Sequence, residues 1–385
     1  MIVKRRALAL VLILTALVFT GCTAQGGMVN AGWTVAAEQD GTVYAALATG
    51  QVLALDLEQN GAKLWQYPQK EASSGVGCSI ARPAEGSGEA PLDAVYGEPM
   101  VLDDVVVMGS FDGKLHAFDR ESGSQVWDFA AQAAIIGGAA EADGILYFGS
   151  SDGAVYAIQA ATQQSAWATP FATGDRVWGT PRVDQERVYV ASMDHSVYAL
   201  DRSTGQQVWK HDLGASAPGA MTLADGRLYV GSVNRHLICL SAVDGSELWR
   251  SPQYGGWVWG EALVADGGVY FGSLDGVMHA LNVADGSVRW QDVPLSGAIR
   301  AGPALAGNSL IVGTEDGYVY TLDMANGEKS LVFGDRDGER LGPVLSTPVV
   351  AGDKLIVTTA QAKIVALDLT KRDPVVWVYP PAEVK

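Results

Sequence analysis

From Trp33 to about Pro380 the chain is built of short runs in which apolar and polar residues alternate with a period of two. Runs such as Arg227-Leu-Tyr-Val-Gly231 and Tyr318-Val-Tyr-Thr-Leu322 are separated by Asp-Gly or Asn-containing turns. Alternation of this kind, broken by such turns, predicts antiparallel hairpins. No segment carries a 3.6-residue apolar stripe, which excludes a helical solenoid.

The hairpins recur. Val107-Met-Gly-Ser-Phe-Asp-Gly113, Phe148-Gly-Ser-Ser-Asp-Gly153, Val190-Ala-Ser-Met-Asp194, Val230-Gly-Ser-Val-Asn234, Phe271-Gly-Ser-Leu-Asp-Gly276 and Val312-Gly-Thr-Glu-Asp-Gly317 are copies of one another. Their Ser/Thr positions, from Ser110 to Thr314, lie 40, 42, 40, 41 and 41 residues apart, and weaker copies around Leu47–Gly50 and Thr358–Lys363 bring the count to eight. Four short strands fit in each repeat, so the expected fold is all-β: an eight-bladed β-propeller of four-stranded antiparallel blades.

Two positions explain why such blades stack. One stays small: Ala54, Ala117, Ala157, Ala199, Cys239, Ala280, Thr321 and Ala366. The other is Trp65, Trp127, Trp167, Trp209, Trp249, Trp290, Leu331 and Trp377, read as a structural wedge between blades whose weakest member is Leu331. Cys239 then reads as a packing residue rather than a reactive thiol.

The patterns Ala117-x-Asp119-x-x-x-Gly123-x-x-x-Trp127 and Ala199-x-Asp201-x-x-x-Gly205-x-x-x-Trp209 resemble the tryptophan-docking repeat of quinoprotein-like eight-bladed propellers, with Gln163 and Asn282 among the departures in other copies. The resemblance covers residues 33–380 and identifies architecture rather than activity.

The chain's beginning bears on location. Lys4-Arg5-Arg6 precedes 14 uncharged residues, Ala7 to Thr20, too few to span a bilayer, which needs roughly 20. A basic start, a short apolar run and Gly21 before Cys22 predict an export signal over 1–21. Phe19-Thr20-Gly21-Cys22 resembles a bacterial lipoprotein cleavage box, with Phe19 in place of the usual Leu; the resemblance implies lipidation of Cys22. Residues 22–32 would be a tether, 33–380 the propeller and 381–385 a tail. A Gly/Ser/Glu-rich stretch, 68–93, is expected to be a flexible insertion that could serve as an interaction loop.

Removing 1–21 leaves 23 basic against 43 acidic residues, a formal charge of −20. Such a surface repels nucleic acid, although many of the acids sit in turns. Only Cys78 and Cys239 remain beyond Cys22, which rules out a disulfide-rich scaffold.

Enzymatic signals are sparse. The five histidines show no paired metal-ligand spacing, no Gly-x-Ser-x-Gly elbow occurs, and no metal site is expected. His116 and His279 stand where other repeats have tyrosine, as strand-face residues. Quinoprotein dehydrogenases resemble the chain in the repeat, which makes a bound pyrroloquinoline quinone (PQQ) with calcium the alternative expectation. Many of those enzymes carry adjacent cysteines, and this chain has no such pair.

The remaining candidate is the segment leading into each blade: Val95-Tyr-Gly-Glu-Pro99, Val177-Trp-Gly-Thr-Pro181, Val258-Trp-Gly-Glu-Ala262 and Ile299-Arg-Ala-Gly-Pro303. These should surround one mouth of the central channel. Glu98 and Glu261, four blades apart, would face each other across it. With Tyr96, Trp178, Trp257, Trp259 and Arg300 they could hold a cation or a small polar ligand. The plainer reading is that each glutamate ends a strand in solvent.

Export signal, tether and eight quinoprotein-like blades together are similar to the BamB-like lipoproteins of the outer-membrane β-barrel assembly machinery. That resemblance implies a monomeric, membrane-tethered, non-catalytic scaffold of the cell envelope, held by a lipid anchor and binding an envelope or membrane protein. The rival expectation is a small-ligand-binding protein that uses the channel mouth.

Overall fold

The structure, a computed structural model, describes residues 32–69, 90–334, 340–371 and 373–381. The export signal, Cys22, most of the tether, the greater part of the 68–93 insertion including Cys78, and most of the C-terminal tail lie outside the described residues.

The described residues form eight four-stranded antiparallel sheets, each made of four strands consecutive in the chain. The blades span 35–67, 100–130, 140–172, 182–212, 222–250, 263–294, 304–333 and 349–379. The first comprises β1 (Val35–Gln39), β2 (Thr42–Ala46), β3 (Val52–Asp56) and β4 (Ala62–Tyr67), and the rest repeat it. This is the all-β, eight-bladed propeller that the 41-residue period predicts.

The Asp-Gly pairs serve two kinds of turn. Between the first two strands of a blade, as at Asp143-Gly144 and Asp225-Gly226, both residues have positive φ. Two successive left-handed residues match the twist of a tight hairpin. Between the middle strands the aspartate instead accepts backbone N–H groups, as Asp112 does from Lys114 at 3.0 Å and Asp152 from Ala154 at 2.8 Å.

The core lies between the blades rather than within one. There are eight buried apolar clusters, each shared by two neighbouring blades. The cluster of Val43, Leu53, Leu55, Ile356, Ile364 and Trp377 joins the last blade to the first. Among the described residues the ring therefore closes by side-chain packing, with no strand shared between the first and last blades.

The tryptophans sit at these interfaces. The indole Nε1 of Trp65, Trp167, Trp209, Trp249 and Trp290 donates to the backbone carbonyl of Arg120, Arg202, Ala242, Val283 and Met324 in the following blade, at 2.9 to 3.3 Å. Each ring lies against a glycine there: a Cβ on Gly205 would fall 2.5 Å from Trp167, and one on Gly245 2.6 Å from Trp209. Trp377 covers Gly61 in the same way, across the closure, but its Nε1 is buried without a hydrogen-bond partner.

The small residue acts within its own blade. Ala54, Ala117, Ala199, Cys239, Ala280 and Ala366 lie directly across from their own blade's tryptophan on the neighbouring strand, leaving room for the indole. Leu331 breaks the rule. The residue across from Thr321 is Ser330, and Leu331 is 45% exposed.

Candidate functional site

Register defines the channel mouth. Ala37, Met100, Ala140, Arg182, Thr222, Leu263, Ala304 and Val349 hold equivalent places on the first strand of each blade, seven residues before their partners on the second. Counting back four residues gives one ring: Trp33, Tyr96, Ile136, Trp178, Pro218, Trp259, Arg300 and Leu345. Counting back two gives another: Val35, Glu98, Gly138, Thr180, Ala220, Glu261, Gly302 and Thr347. All sixteen residues line a single funnel of about 600 Å³.

The position between these rings is small because the segments meet backbone to backbone. A Cβ on Gly97 would fall 2.3 Å from the amide nitrogen of Gly138, and one on Gly219 only 1.8 Å from the carbonyl oxygen of Trp259. The conserved-looking turn serine belongs to the same construction. The carbonyls of Ser110, Ser150, Ser232, Ser273 and Thr314 accept the N–H of Ile135, Val177, Val258, Ile299 and Val344, pinning the segment that leads into the following blade.

The outer ring forms an aromatic collar. Trp33 Nε1 donates to the Tyr96 carbonyl at 2.9 Å, and the two rings meet edge to face at 5.2 Å. The Arg300 guanidinium lies 5.0 Å from the ring centre of Trp259 and 5.8 Å from that of Trp33. Its Nε donates to Glu315 at 2.7 Å, so its charge is already balanced. Trp178 is stacked under Arg176, and its buried Nε1 has no hydrogen-bond partner.

The chain runs inward from the collar, and both glutamates follow it into the funnel. Arg182, two blades from each, hydrogen-bonds Glu261. Glu98 is exposed to the funnel, yet it is ringed by protein. Loss of hydration raises its pKa to about 7, repulsion from Glu261 adds to the rise, and Arg182 opposes it. The two carboxylates and one guanidinium leave a single negative charge when Glu98 is ionised.

Six of the seven expected mouth residues therefore line one cavity: Tyr96, Glu98, Trp178, Trp259, Glu261 and Arg300. Both glutamates line the funnel. Trp257 does not line the cavity. It is 45% exposed outside it, its ring parallel to that of Trp259 at 6.4 Å.

Sequence reasoning missed Trp33 and Arg182. Trp33 precedes a first repeat that has Thr34 where five of the other blades have glycine. Arg182 was visible as the one charged residue in a column otherwise of Ala, Met, Thr, Leu and Val.

The other candidate chemistries resolve into structure. His279 is buried between Ser273, 2.8 Å from Nε2, and Asp292, 2.8 Å from Nδ1. Burial holds its pKa below the usual histidine range against the pull of Asp292. This resembles a nucleophile–base–acid line, but Ser273 is fully buried and is the turn serine of the repeat. Burial pushes the Cys239 thiol up to about 11, which makes it unreactive.

Among the described residues the funnel's carboxylates fit a quinone–calcium centre poorly. Calcium takes six to eight oxygen ligands, whereas the funnel offers two carboxylates, one of them bonded to Arg182. Among the described residues no group of three or more His, Cys, Asp and Glu is placed to hold a metal ion.

A family model described as outer membrane protein assembly factor BamB matches residues 24–169, 111–218 and 193–385, which together take in every blade. The chain belongs to that family. It is 31% identical over 254 residues to a BamB of Yersinia pestis, covering 55% of this chain and 64% of that protein. It is 27% identical over 257 residues to one of Moranella endobia, covering 55% and 65%. The matched segments thus span less than two thirds of these relatives' length. The crystal structure of BamB from Moraxella catarrhalis superposes with a TM-score of 0.66 at 21% identity, covering 86% of this chain and 92% of that one, a likeness of fold.

Proposed function

We propose that this protein is a membrane-tethered, non-catalytic binding platform of the cell envelope that takes part in outer-membrane protein assembly. The observation that carries the reading is the match of one assembly-factor family model across every blade, rather than to a few repeats. The relatives in Yersinia pestis and Moranella endobia bear the same description. In this reading Cys22 carries the lipid anchor, the chain acts as a monomer, and its partner is an envelope protein. The acidic surface disfavours nucleic acid.

The funnel suits such a role, because Arg182 is held by Glu261 while Glu98 is left without a partner to meet a guest. The test is fractionation and co-purification from the native host. The unaltered chain should partition with membranes and, after detergent extraction, bring down a component of the outer-membrane assembly machinery. Cys22→Ala should release it to the soluble fraction. Wild-type protein that is soluble and captures no envelope protein would defeat the reading, as would quinone-dependent dehydrogenase activity.

A further inference from the structure

The funnel has an apolar collar and an unbalanced charge below it. Arg300 is neutralised by Glu315, Arg176 by Asp175 at 3.2 Å, and Arg182 by Glu261. Glu98 has neither a hydrogen bond nor an ion pair within the described residues, and the charged groups facing it are Glu261 and Arg182. A carboxylate so placed gains most from a guest that carries a single positive charge on an apolar stem.

We infer that the funnel receives a lysine or arginine side chain from an extended segment of a partner polypeptide, its stem against Tyr96, Trp178 and Trp259 and its charged head at Glu98. This rests on the binding-platform reading above and names the chemistry of the partner. One observation favours a polypeptide over a free small cation. The apolar surface does not stop at the collar: Phe111 at the cavity rim is 38% exposed, and Trp257 beside Trp259 is 45% exposed, which gives residues flanking the inserted side chain somewhere to rest. The formal charge of −17 favours cationic guests of either kind.

Calorimetric titration of the full-length chain in detergent tests this, with acetyl-Val-Lys-Val-amide and its glutamine counterpart as probes and n-butylamine as a small cation. At pH 8 the lysine peptide should bind about tenfold more tightly than the glutamine peptide. Glu98→Gln, a change at a residue with no folding partner, should erase that margin, and Trp178→Ala should weaken the lysine peptide while the melting temperature reports an intact ring. The margin should shrink at pH 5.5, where Glu98 is protonated.

Equal affinity for the two peptides, no binding of either, or a lysine preference that survives Glu98→Gln would overturn the inference. Butylamine binding as tightly as the lysine peptide would also overturn it, assigning the funnel to small organic cations. If co-purification of envelope partners persists while the lysine margin is missing, the funnel inference alone has failed; if the partners are missing too, so has the platform reading.

Discussion

Glu98 and Glu261 occupy equivalent places in opposite blades, yet one is bonded to Arg182 and the other is left with a pKa of about 7. The stability consequence follows from the direction of the shift. A carboxyl whose folded pKa lies above its ordinary 4.5 costs nothing at acid pH, and its penalty grows as pH rises from there through about 7. Glu98→Gln should therefore raise the melting temperature at pH 8 and leave it unchanged at pH 4.5. The gain should be small, about 1–2 °C, because Glu98 is exposed to the funnel. Thermal scans at the two pH values check this, and an equal effect at both would contradict it. Glu261 was legible as Glu98's opposite number, because repeat spacing converts directly into angular position. Arg182 was not: its own motif gives no hint that the side chain reaches across two blades.

Between elements, the tryptophan and the glycine of the next blade act as one unit. Trp209→Ala should cost about 3–5 kcal/mol, the range for emptying a buried aromatic site. Gly245→Ala should also be severe, since its Cβ would fall 2.6 Å from the Trp209 ring at a φ of +72°. Denaturant titration of both single variants and the double should show strong non-additivity, because removing the indole removes the clash. Leu331→Ala, on an exposed side chain outside the interface, should stay within about 0.5 kcal/mol. Trp127 should fall between these extremes. The residue at the matching place in the next blade is Gln163, itself held at a φ of 57°, and Trp127 is only partly buried. The motif spacing located all of these positions. It did not reveal that the small residue clears space for its own tryptophan, because sheet register rather than sequence distance sets which side chains are opposite.

At the scale of the whole molecule, the closure between residues 349–379 and 35–67 is held by one apolar cluster and few polar contacts. Ser346 Oγ donates to the Thr34 carbonyl at 3.2 Å, and Lys354 pairs with Glu58 at 2.7 Å. No strand crosses the junction, and Trp377 lacks the indole hydrogen bond that five other tryptophans make. The ring should therefore open here first. Hydrogen exchange read by mass spectrometry should find faster exchange in β1 and in the final blade than in residues 182–250, and Trp377→Ala should widen that difference. Uniform protection around the ring would show that closure is as strong as any other interface.

The sequence by itself determined the number of blades, the strand alternation, the turn chemistry and the tryptophan positions. Each of these is a local or periodic property, and eight repetitions of a local rule leave little ambiguity. Only the tertiary structure decided what lies within the funnel. Glu98, Arg182 and Glu261 come from blades that are strangers in sequence, and which of them pair depends on side-chain reach and desolvation across the axis. The manner of closure was likewise decided by packing. A chain whose every blade is complete in itself gives no local sign of how its first and last will meet.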